Sequence, residues 1–206
     1  MSSTTPTTMR AIRYQAAGGP EVIELAQVPV PQPARGEALI KVGAAGVNFA
    51  DIARRYNRYL EATPIPYIPG SEIVGTVVSL GPDTPENEWL RVGARVLGLC
   101  ASGGYADYVA TSVRQLAPAP AGPGDAELVA LPLQGVTAYH LLKTSARLAP
   151  GETVLITAAA GGVGALAIQV ARLLGAGTII AAAGSDEKGE LARSLGADAF
   201  INYRTE

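Results

Sequence analysis

The spacing of apolar residues changes once along the chain, near Leu131, and this change divides the sequence into two parts. Before it, short apolar runs bounded mostly by glycine or proline predict β-strands. The five runs are MRAIRYQAA, EALIKVGAAGVN, IVGTVVSLG, ARVLGLC and YADYVAT. Because short and closely spaced strands are typical of small barrels, residues 9–130 predict a compact β-barrel domain.

The second part, residues 131–206, alternates helices with strands. Its first segment, LPLQGVTAYHLLKTSARL, predicts a helix whose apolar face consists of Val136, Tyr139, Leu142 and Leu148. The pattern then predicts strand TVLITA, a helix over 163–174, strand TIIAAA, a helix over 186–195 and strand AFINY. These strands are nearly unbroken apolar runs, as buried parallel strands require. The fold class is therefore α/β with a β-rich N-terminal domain, and the second part supplies the first β-α-β-α-β half of a doubly wound sheet.

Composition and charge exclude several classes of protein. The net charge is −2 and no basic patch stands out, which argues against a nucleic-acid partner. The single Cys100 cannot form an internal disulfide, so a reducing, cytoplasmic compartment fits. Residues 1–8, MSSTTPTT, lack the features of a secretory signal and are predicted to be disordered. No apolar run approaches the roughly 20 residues of a membrane span.

A turn of small residues joins the first strand of the second part to its helix. Its residues are Ala158, Ala159, Ala160, Gly161, Gly162, Val163 and Gly164. Free backbone N–H groups and the helix dipole make such a turn a phosphate site, and Gly161 would allow close approach of a pyrophosphate. Ala159 stands where the G-x-G-x-x-G pattern has its first glycine, so the match is incomplete. The turn predicts a dinucleotide site, and the alternative is an ordinary strand–helix connection.

The end of the second strand of this part bears on which cofactor would bind. An NAD site usually has an acidic residue there, which accepts hydrogen bonds from the ribose hydroxyls. This chain has Gly184 and Ser185 instead, which leave room for a 2′-phosphate, and Lys188 could pair with that phosphate. The alternative is that Ser185 is a helix N-cap and Lys188 a solvated helix residue. The missing acid favours NADPH over NADH.

Seven motifs in order make the chain similar to a known superfamily. They are AAGVNFADIARR, IPGSEIVGTVVSLG, VGARV, GGYADYV, LPLQGVTAYHLL, AAAGGVG and LGADAFINYRTE. With them, residues 9–206 resemble the medium-chain dehydrogenase/reductase superfamily, and within it the zinc-independent, ζ-crystallin-like quinone oxidoreductases. The resemblance implies a GroES-like catalytic domain over 9–130 and a partial Rossmann NADP-binding domain over 131–206, with the active site in the cleft between them.

The resemblance also allows a test for metal. Zinc alcohol dehydrogenases of the superfamily have a Cys where this chain has Asn48, and a His where it has Ser71. The only other candidates are Cys100 and His140, and His140 is predicted to be a packing residue of the linking helix. A catalytic zinc needs about three protein ligands and a structural zinc about four. We therefore expect no metal.

Site residues follow from the resemblance. It implies that Asn48 lies near the nicotinamide and the substrate, although an Asn there could simply be a turn residue. Relatives often carry two tyrosines after this Asn; here the first is Ala53 and the second is Tyr59, so we take Asn48 and Tyr59 as the catalytic candidates, with Arg55 a further pocket candidate. The cofactor-binding candidates are Thr137, Ala160, Gly161, Gly162, Val163, Gly184, Ser185, Lys188 and Tyr203. Glu72, Gly93 and Tyr105 are interpreted as structural.

The implied activity is NADPH-dependent hydride transfer to a quinone or an activated alkene. The alternatives are an enoyl or enone reductase of secondary metabolism and a non-catalytic NADPH-binding protein. Because three strands are half of a doubly wound sheet, we expect a truncated chain that binds NADPH weakly and turns over little. An apolar edge strand is exposed to pairing with other chains, so a homo-oligomer that covers this edge is a further expectation.

Overall fold

The computed structural model describes residues 5–205. The chain forms two compact units, the first ending at Pro132 and the second beginning at Leu133. Each unit has buried side chains of its own, and each is described by itself.

The first unit is mostly antiparallel sheet. Its strands are β1 (Thr8–Arg13), β2 (Glu24–Pro29), β3 (Glu37–Ala45), β4 (Glu72–Leu80), β5 (Arg95–Leu99), β6 (Tyr108–Ser112) and β7 (Leu116–Pro118). Two short helices, α1 (Phe49–Arg55) and α2 (Asp125–Leu128), complete it together with 3₁₀ turns at Pro20–Val22 and Val113–Gln115. Strands β1 and β2 pair with each other, and the other five form a sheet of order β6-β3-β4-β5-β7.

All five strands predicted in this unit are present, and two strands were not predicted. In β2, exposed positions alternate with half-buried ones and none is buried, so the sequence shows no apolar run. Strand β7 has three residues and ends at Pro118, which is too short for a periodic signal. The core of the unit comes from alternate positions of the longer strands, where Ile40, Ile73 and Val96 are fully buried.

The prediction of disorder over residues 1–8 is wrong at its carboxyl end. The Thr7 carbonyl accepts a hydrogen bond from the Val30 amide at 3.1 Å. Thr8 is the first residue of β1 and pairs with Pro29 of β2. Polar threonines join the sheet here because backbone pairing does not require apolar side chains. Residues 1–4 lie outside the described residues.

The second unit is a parallel sheet with helices, in the predicted order. Its elements are α3 (Val136–His140), β8 (Thr153–Thr157), α4 (Gly162–Leu173), β9 (Thr178–Ala183), α5 (Asp186–Ser194) and β10 (Ala199–Asn202). The strand order is β10-β9-β8, and both pairings are parallel. This confirms the α/β fold class, with a β-rich part followed by the first β-α-β-α-β half of a doubly wound parallel sheet.

The helical segment that precedes β8 differs from its prediction. Helix α3 is flanked by π-helical turns at Leu131–Gly135 and Leu141–Ser145. Leu142 is buried as predicted, but Val136 and Tyr139 are 49% and 45% exposed, and Ala138 is buried in their place. Hydrogen bonds of the i→i+5 type rotate the following side chains around the axis, so a strict 3.6-residue spacing identifies the wrong face.

His140 is exposed, and the prediction that it packs in this helix is wrong. Its Nδ1 lies 2.9 Å from the hydroxyl of Thr144, one helical turn further along. Its ring packs edge-on against that of Tyr139, with the ring centroids 5.7 Å apart.

Among residues 5–205, every helix is too short or too polar to cross a bilayer.

Candidate functional site

The small-residue turn follows β8 and opens α4. Gly161 is the N-cap of α4, and no side chain of its own covers the first helical turn. Both Gly161 and Gly162 are exposed to solvent. This is the arrangement that suits an anion, because backbone N–H groups and the positive end of the helix dipole point out of the turn.

Two alanines and one glycine set the shape of this turn. The left-handed backbone conformation falls on Ala158, with φ of 49°, and Ala159 beside it is completely buried. A Cβ on Gly164 would lie 2.3 Å from the Ala158 carbonyl oxygen and 2.8 Å from the Ala159 Cα. The helix therefore approaches the strand so closely that only glycine fits at 164.

A cavity of about 410 Å³ adjoins the turn. Its wall consists of β8 residues such as Ile156 and Thr157, the helical residue Leu142, and the turn residues Gly161 and Gly162. Most of the lining is apolar, with the exposed turn at one side. A cavity of this kind fits a ligand that has a mostly apolar body next to a charged group.

The carboxyl ends of β9 and β10 meet at one edge of the sheet, beyond the turn. A Cβ on Gly184, which follows β9, would lie 2.9 Å from the Tyr203 hydroxyl and 3.0 Å from the Arg204 Nε. The structure thus brings Gly184 and Tyr203 together and places Arg204 beside them. Any side chain at 184 would displace both groups.

Ser185 and Lys188 belong to the start of α5. Ser185 is the N-cap, and its hydroxyl accepts a hydrogen bond from the Lys188 amide at 3.4 Å, as the alternative interpretation expected. The Lys188 side chain is exposed. Asn202 at the end of β10 donates to the Asp186 carboxylate at 2.9 Å and so fixes the start of α5 against this edge.

Arg204 is a candidate that the sequence analysis missed. It is exposed, and its backbone amide donates to the Asn202 side chain at 3.2 Å. A signal was available, since Arg204 directly follows Tyr203 and the carboxyl ends of parallel strands share one edge. Arg204 is thus an exposed cation beside Gly184, and Lys188 is an exposed cation in the first turn of α5.

Thr137 and Gln134 lie in the helical segment before β8. The Thr137 hydroxyl donates to the Leu133 carbonyl at 2.6 Å, so it is occupied within its own helix. Gln134 was not singled out from the sequence, yet a Cβ on Gly162 would lie 2.3 Å from its side-chain oxygen. The Gln134 side chain therefore lies against the glycine turn.

Asn48 is held rigidly inside the first unit. It is the N-cap residue of α1 and is 8% exposed. Its side-chain amide donates to the Glu72 carboxylate at 2.7 Å, and its backbone amide donates to the Asp51 carboxylate at 2.9 Å. Glu72 is completely buried, so the Asn48 amide group is oriented by a fixed partner.

Asp51 links this arrangement to Tyr105. The Tyr105 hydroxyl donates to the Asp51 carboxylate at 2.8 Å. Burial, together with this hydrogen bond, raises the pKa of Tyr105, so the phenol remains a donor at neutral pH. Glu72 and Tyr105 therefore act as parts of the framework around Asn48, consistent with their interpretation as structural residues.

Tyr59 and Arg55 have different surroundings from Asn48. Tyr59 is 37% exposed, and the Arg54 guanidinium carbon lies 4.1 Å from the centroid of its ring. Arg55 is only 9% exposed and is not a solvated side chain. The Asn48 amide is directed to Glu72 and the Tyr59 ring stacks on Arg54, so these two candidates have separate partners within the first unit.

Cys100 is the only cysteine, and it is buried. Burial raises the pKa of its thiol to about 12, and the thiol donates to the Gly70 carbonyl at 3.3 Å. Among residues 5–205 there is no group of three His, Cys, Asp or Glu side chains that could hold a metal ion.

Comparison with known proteins adds the family. Residues 34–121 match the alcohol dehydrogenase GroES-like domain, and residues 162–206 match the family described as zinc-binding dehydrogenase. The chain is 40% identical over 167 residues to quinone oxidoreductase-like protein 2 of Bos taurus, which covers 81% of this chain and 47% of that protein. The chain belongs to the medium-chain dehydrogenase/reductase superfamily.

Further relatives place the chain in the quinone oxidoreductase branch. It resembles the Escherichia coli quinone oxidoreductase, whose crystal structure is a complex with NADPH, with a TM-score of 0.88 and 33% identity, covering 96% of this chain and 59% of that one. It is also 34% identical to 2-methylene-furan-3-one reductase of Solanum lycopersicum over 212 residues, which covers 98% of this chain and 54% of that protein. The chain spans about half to three-fifths of the length of these relatives.

Proposed function

We propose that the chain forms part of an NADPH-dependent oxidoreductase that transfers a hydride to a quinone or an activated alkene. The observation that carries the proposal is the edge at Gly184. Gly184 and Ser185, rather than an acidic residue, directly follow β9, and Tyr203 and Arg204 lie against Gly184. The E. coli relative with bound NADPH supports the same cofactor.

The pyrophosphate would bind at the turn formed by Ala160, Gly161, Gly162 and Val163, because the exposed N-terminus of α4 favours an anion. The 2′-phosphate would lie over Gly184, where Lys188 and Arg204 supply positive charge and Ser185 and Tyr203 supply hydroxyl groups. Thr137 would act from the helical segment, through a hydroxyl that already donates to the Leu133 carbonyl.

When bound, NADPH would supply the hydride, and the protein would orient the two reactants and stabilise developing oxyanion charge. Asn48 is suited to such a role because Glu72 accepts one of its amide hydrogens and fixes the direction of the other. Tyr59 would serve as a pocket wall, since its ring is steadied by Arg54.

The proposed reaction does not use zinc. The positions that correspond to the metal ligands of zinc-dependent relatives are Asn48 and Ser71 in this chain, and neither residue type is a usual zinc ligand. The thiol of Cys100 is protonated and bonded to a backbone carbonyl, which does not favour metal binding.

The substrate class has two candidates. The bovine relative is named for quinone reduction and the tomato relative for reduction of a conjugated furanone, so both electron acceptors are supported by similarity. Ala53 stands where relatives often have a tyrosine, and its smaller side chain would leave the pocket wider, which argues against classical quinone specificity. We expect the 206-residue chain to bind NADPH weakly and to turn over slowly.

Steady-state oxidation of NADPH by the purified chain, with a small panel of quinones and conjugated enones, tests this proposal. Slow, saturable oxidation with either class, in protein without stoichiometric zinc, is the expected result. Oxidation that depends on added zinc, or one zinc per chain by elemental analysis, would contradict the zinc-independent mechanism. NADPH binding without oxidation of any acceptor would favour the non-catalytic alternative.

A further inference from the structure

A separate cavity lies inside the first unit, beside α1. Its volume is about 170 Å³. Much of its wall is apolar and comes from Ile12, Pro20, Ile23, Ile52 and Pro69. None of these residues has been assigned to the cofactor or to the substrate.

Two buried polar atoms in residues that line this cavity have no hydrogen-bond partner, although the Arg55 guanidinium also stacks on the Tyr56 ring at 4.8 Å. They are the Tyr14 hydroxyl and the Arg55 Nη1, which make no hydrogen bond within the described part of the chain. Tyr14 is 1% exposed and Arg55 is 9% exposed. A buried donor without an acceptor is costly, and native structures normally provide one from protein, water or a ligand. Two such donors, on residues that line one cavity, point to a ligand with acceptor atoms.

Both groups are donors at neutral pH. Burial raises the pKa of Tyr14 to about 12, so its phenol keeps the proton. An arginine guanidinium is protonated at every physiological pH and has no acceptor atom. The ligand must therefore supply acceptors, and at least one should be negatively charged to match Arg55.

The carboxylate of Asp51, also in the wall, limits the negative charge that the ligand can carry. Its Oδ2 already accepts hydrogen bonds from the Asn48 backbone amide and the Tyr105 hydroxyl, and its Oδ1 accepts one from the Gly70 amide. It does not satisfy Arg55 Nη1, and its negative charge would repel a dianion such as phosphate. Two donors, one positive charge and an apolar wall match a single carboxylate group on a hydrocarbon body.

We propose that this cavity binds a small organic carboxylate, with one oxygen accepting from Tyr14 and the other from Arg55. The apolar part of the ligand contacts Ile12, Ile23 and Ile52. A neutral amide of the same shape binds more weakly, because it loses the charge-assisted hydrogen bond to the guanidinium.

The test uses benzoate as the probe and benzamide as its neutral counterpart, titrated into the 206-residue protein by calorimetry. Tyr14→Phe removes one donor with almost no change in shape, and Tyr67→Phe is the matched control. The Tyr67 ring packs against that of Tyr14 with the centroids 5.5 Å apart, yet Tyr67 does not line this cavity. Arg55→Lys tests the guanidinium, and Arg54→Lys on the same helix is its control.

The expected result is binding of benzoate that exceeds binding of benzamide. Tyr14→Phe and Arg55→Lys should each lower the affinity for benzoate about tenfold, the usual scale of a charge-assisted hydrogen bond. The two control variants should change this affinity less than about twofold. Circular dichroism of each variant establishes that it is folded, and Tyr14→Phe alone is sufficient if Arg55→Lys does not fold.

Three outcomes would overturn the proposal. The first is equal binding of benzoate and benzamide, and the second is equal weakening by Tyr14→Phe and Tyr67→Phe. The third is the absence of benzoate binding to folded protein, which would leave ordered water as the partner of both donors. NADPH titrated in the same samples reports on the cofactor site independently, because its proposed residues lie in the second unit.

Discussion

Replacing Gly164 by alanine should destabilise the second unit, although alanine is the better helix former. The substitution gains about 1 kcal/mol of helix propensity. Against this, the new methyl group would lie 2.3 Å from the Ala158 carbonyl oxygen and 2.8 Å from the Ala159 Cα. Both are backbone atoms that cannot rotate away, and forcing extra volume into a packed site typically costs about 1–3 kcal/mol, with larger values when backbone must move. We expect a net loss of about 2 kcal/mol in the free energy of unfolding.

Gly161→Ala is the matched control, since it adds the same methyl group to the same turn. There the nearest atom is again the Ala158 carbonyl oxygen, but at 3.2 Å, and the backbone φ of −80° suits alanine. We expect a loss of about 1 kcal/mol or less, the range for a helix N-cap. Urea unfolding followed by circular dichroism gives both values, with unchanged m-values as the check on two-state behaviour. Equal stability of Gly164→Ala and the wild type would refute the close approach of α4 to the end of β8.

Three further predictions concern single side chains. Lys188→Ala and Arg204→Ala should each weaken the binding of NADPH by about 0.5–2 kcal/mol in calorimetric titrations. The binding of NADH should be nearly unchanged, because only NADPH carries the 2′-phosphate. Tyr14→Phe should raise the free energy of unfolding by about 1 kcal/mol in urea titrations without carboxylate, because it removes a buried hydroxyl that has no protein partner. Hydrogen bonds from the Ile179 backbone amide and then from Arg172 lower the pKa of Asp198, so Asp198→Asn should be less stable than wild type at pH 6. That difference should shrink below about pH 4, as the wild-type carboxylate becomes protonated.

The cofactor prediction and the Tyr14 prediction each have a control variant. Arg193→Ala removes a cation from the last turn of α5, where its guanidinium stacks on Phe200 at 5.3 Å, and it should affect neither cofactor selectively. Tyr67→Phe is the control variant for Tyr14→Phe. Equal losses of NADPH and NADH affinity in Lys188→Ala would mean that this lysine does not contact the phosphate. If wild type and Asp198→Asn differ in free energy of unfolding by the same amount at pH 6 and at pH 3, ionisation of Asp198 does not stabilise the fold.

The sequence predicted which segments form strands and helices better than it predicted which side of a helix is buried. Apolar runs bounded by Gly and Pro marked the strands of both units, because burial on a sheet requires a continuous or alternating apolar pattern. Strand β2 was missed since none of its side chains is buried. The face around Val136 was wrong because π-helical turns change the phase of the helix, and no sequence signal announces such turns.

The candidate site was predictable where it depends on chain order. The turn at Gly161 and the edge at Gly184 follow from strand–helix alternation, since parallel strands bring their carboxyl ends to one edge. Partners distant in sequence were not predictable. The pairing of Asn48 with Glu72 spans 24 residues. The lack of a hydrogen bond to the Tyr14 hydroxyl and to Arg55 Nη1 is a property of packing rather than of either residue.

The central claim, that the edge at Gly184 accepts the 2′-phosphate of NADPH, is tested most directly by parallel calorimetric titrations of the 206-residue protein with NADPH and NADH. The account predicts that NADPH binds more tightly, and that added inorganic salt reduces this preference because two exposed cations, Lys188 and Arg204, produce it. Tighter binding of NADH, or equal binding of both cofactors at low salt, would contradict it.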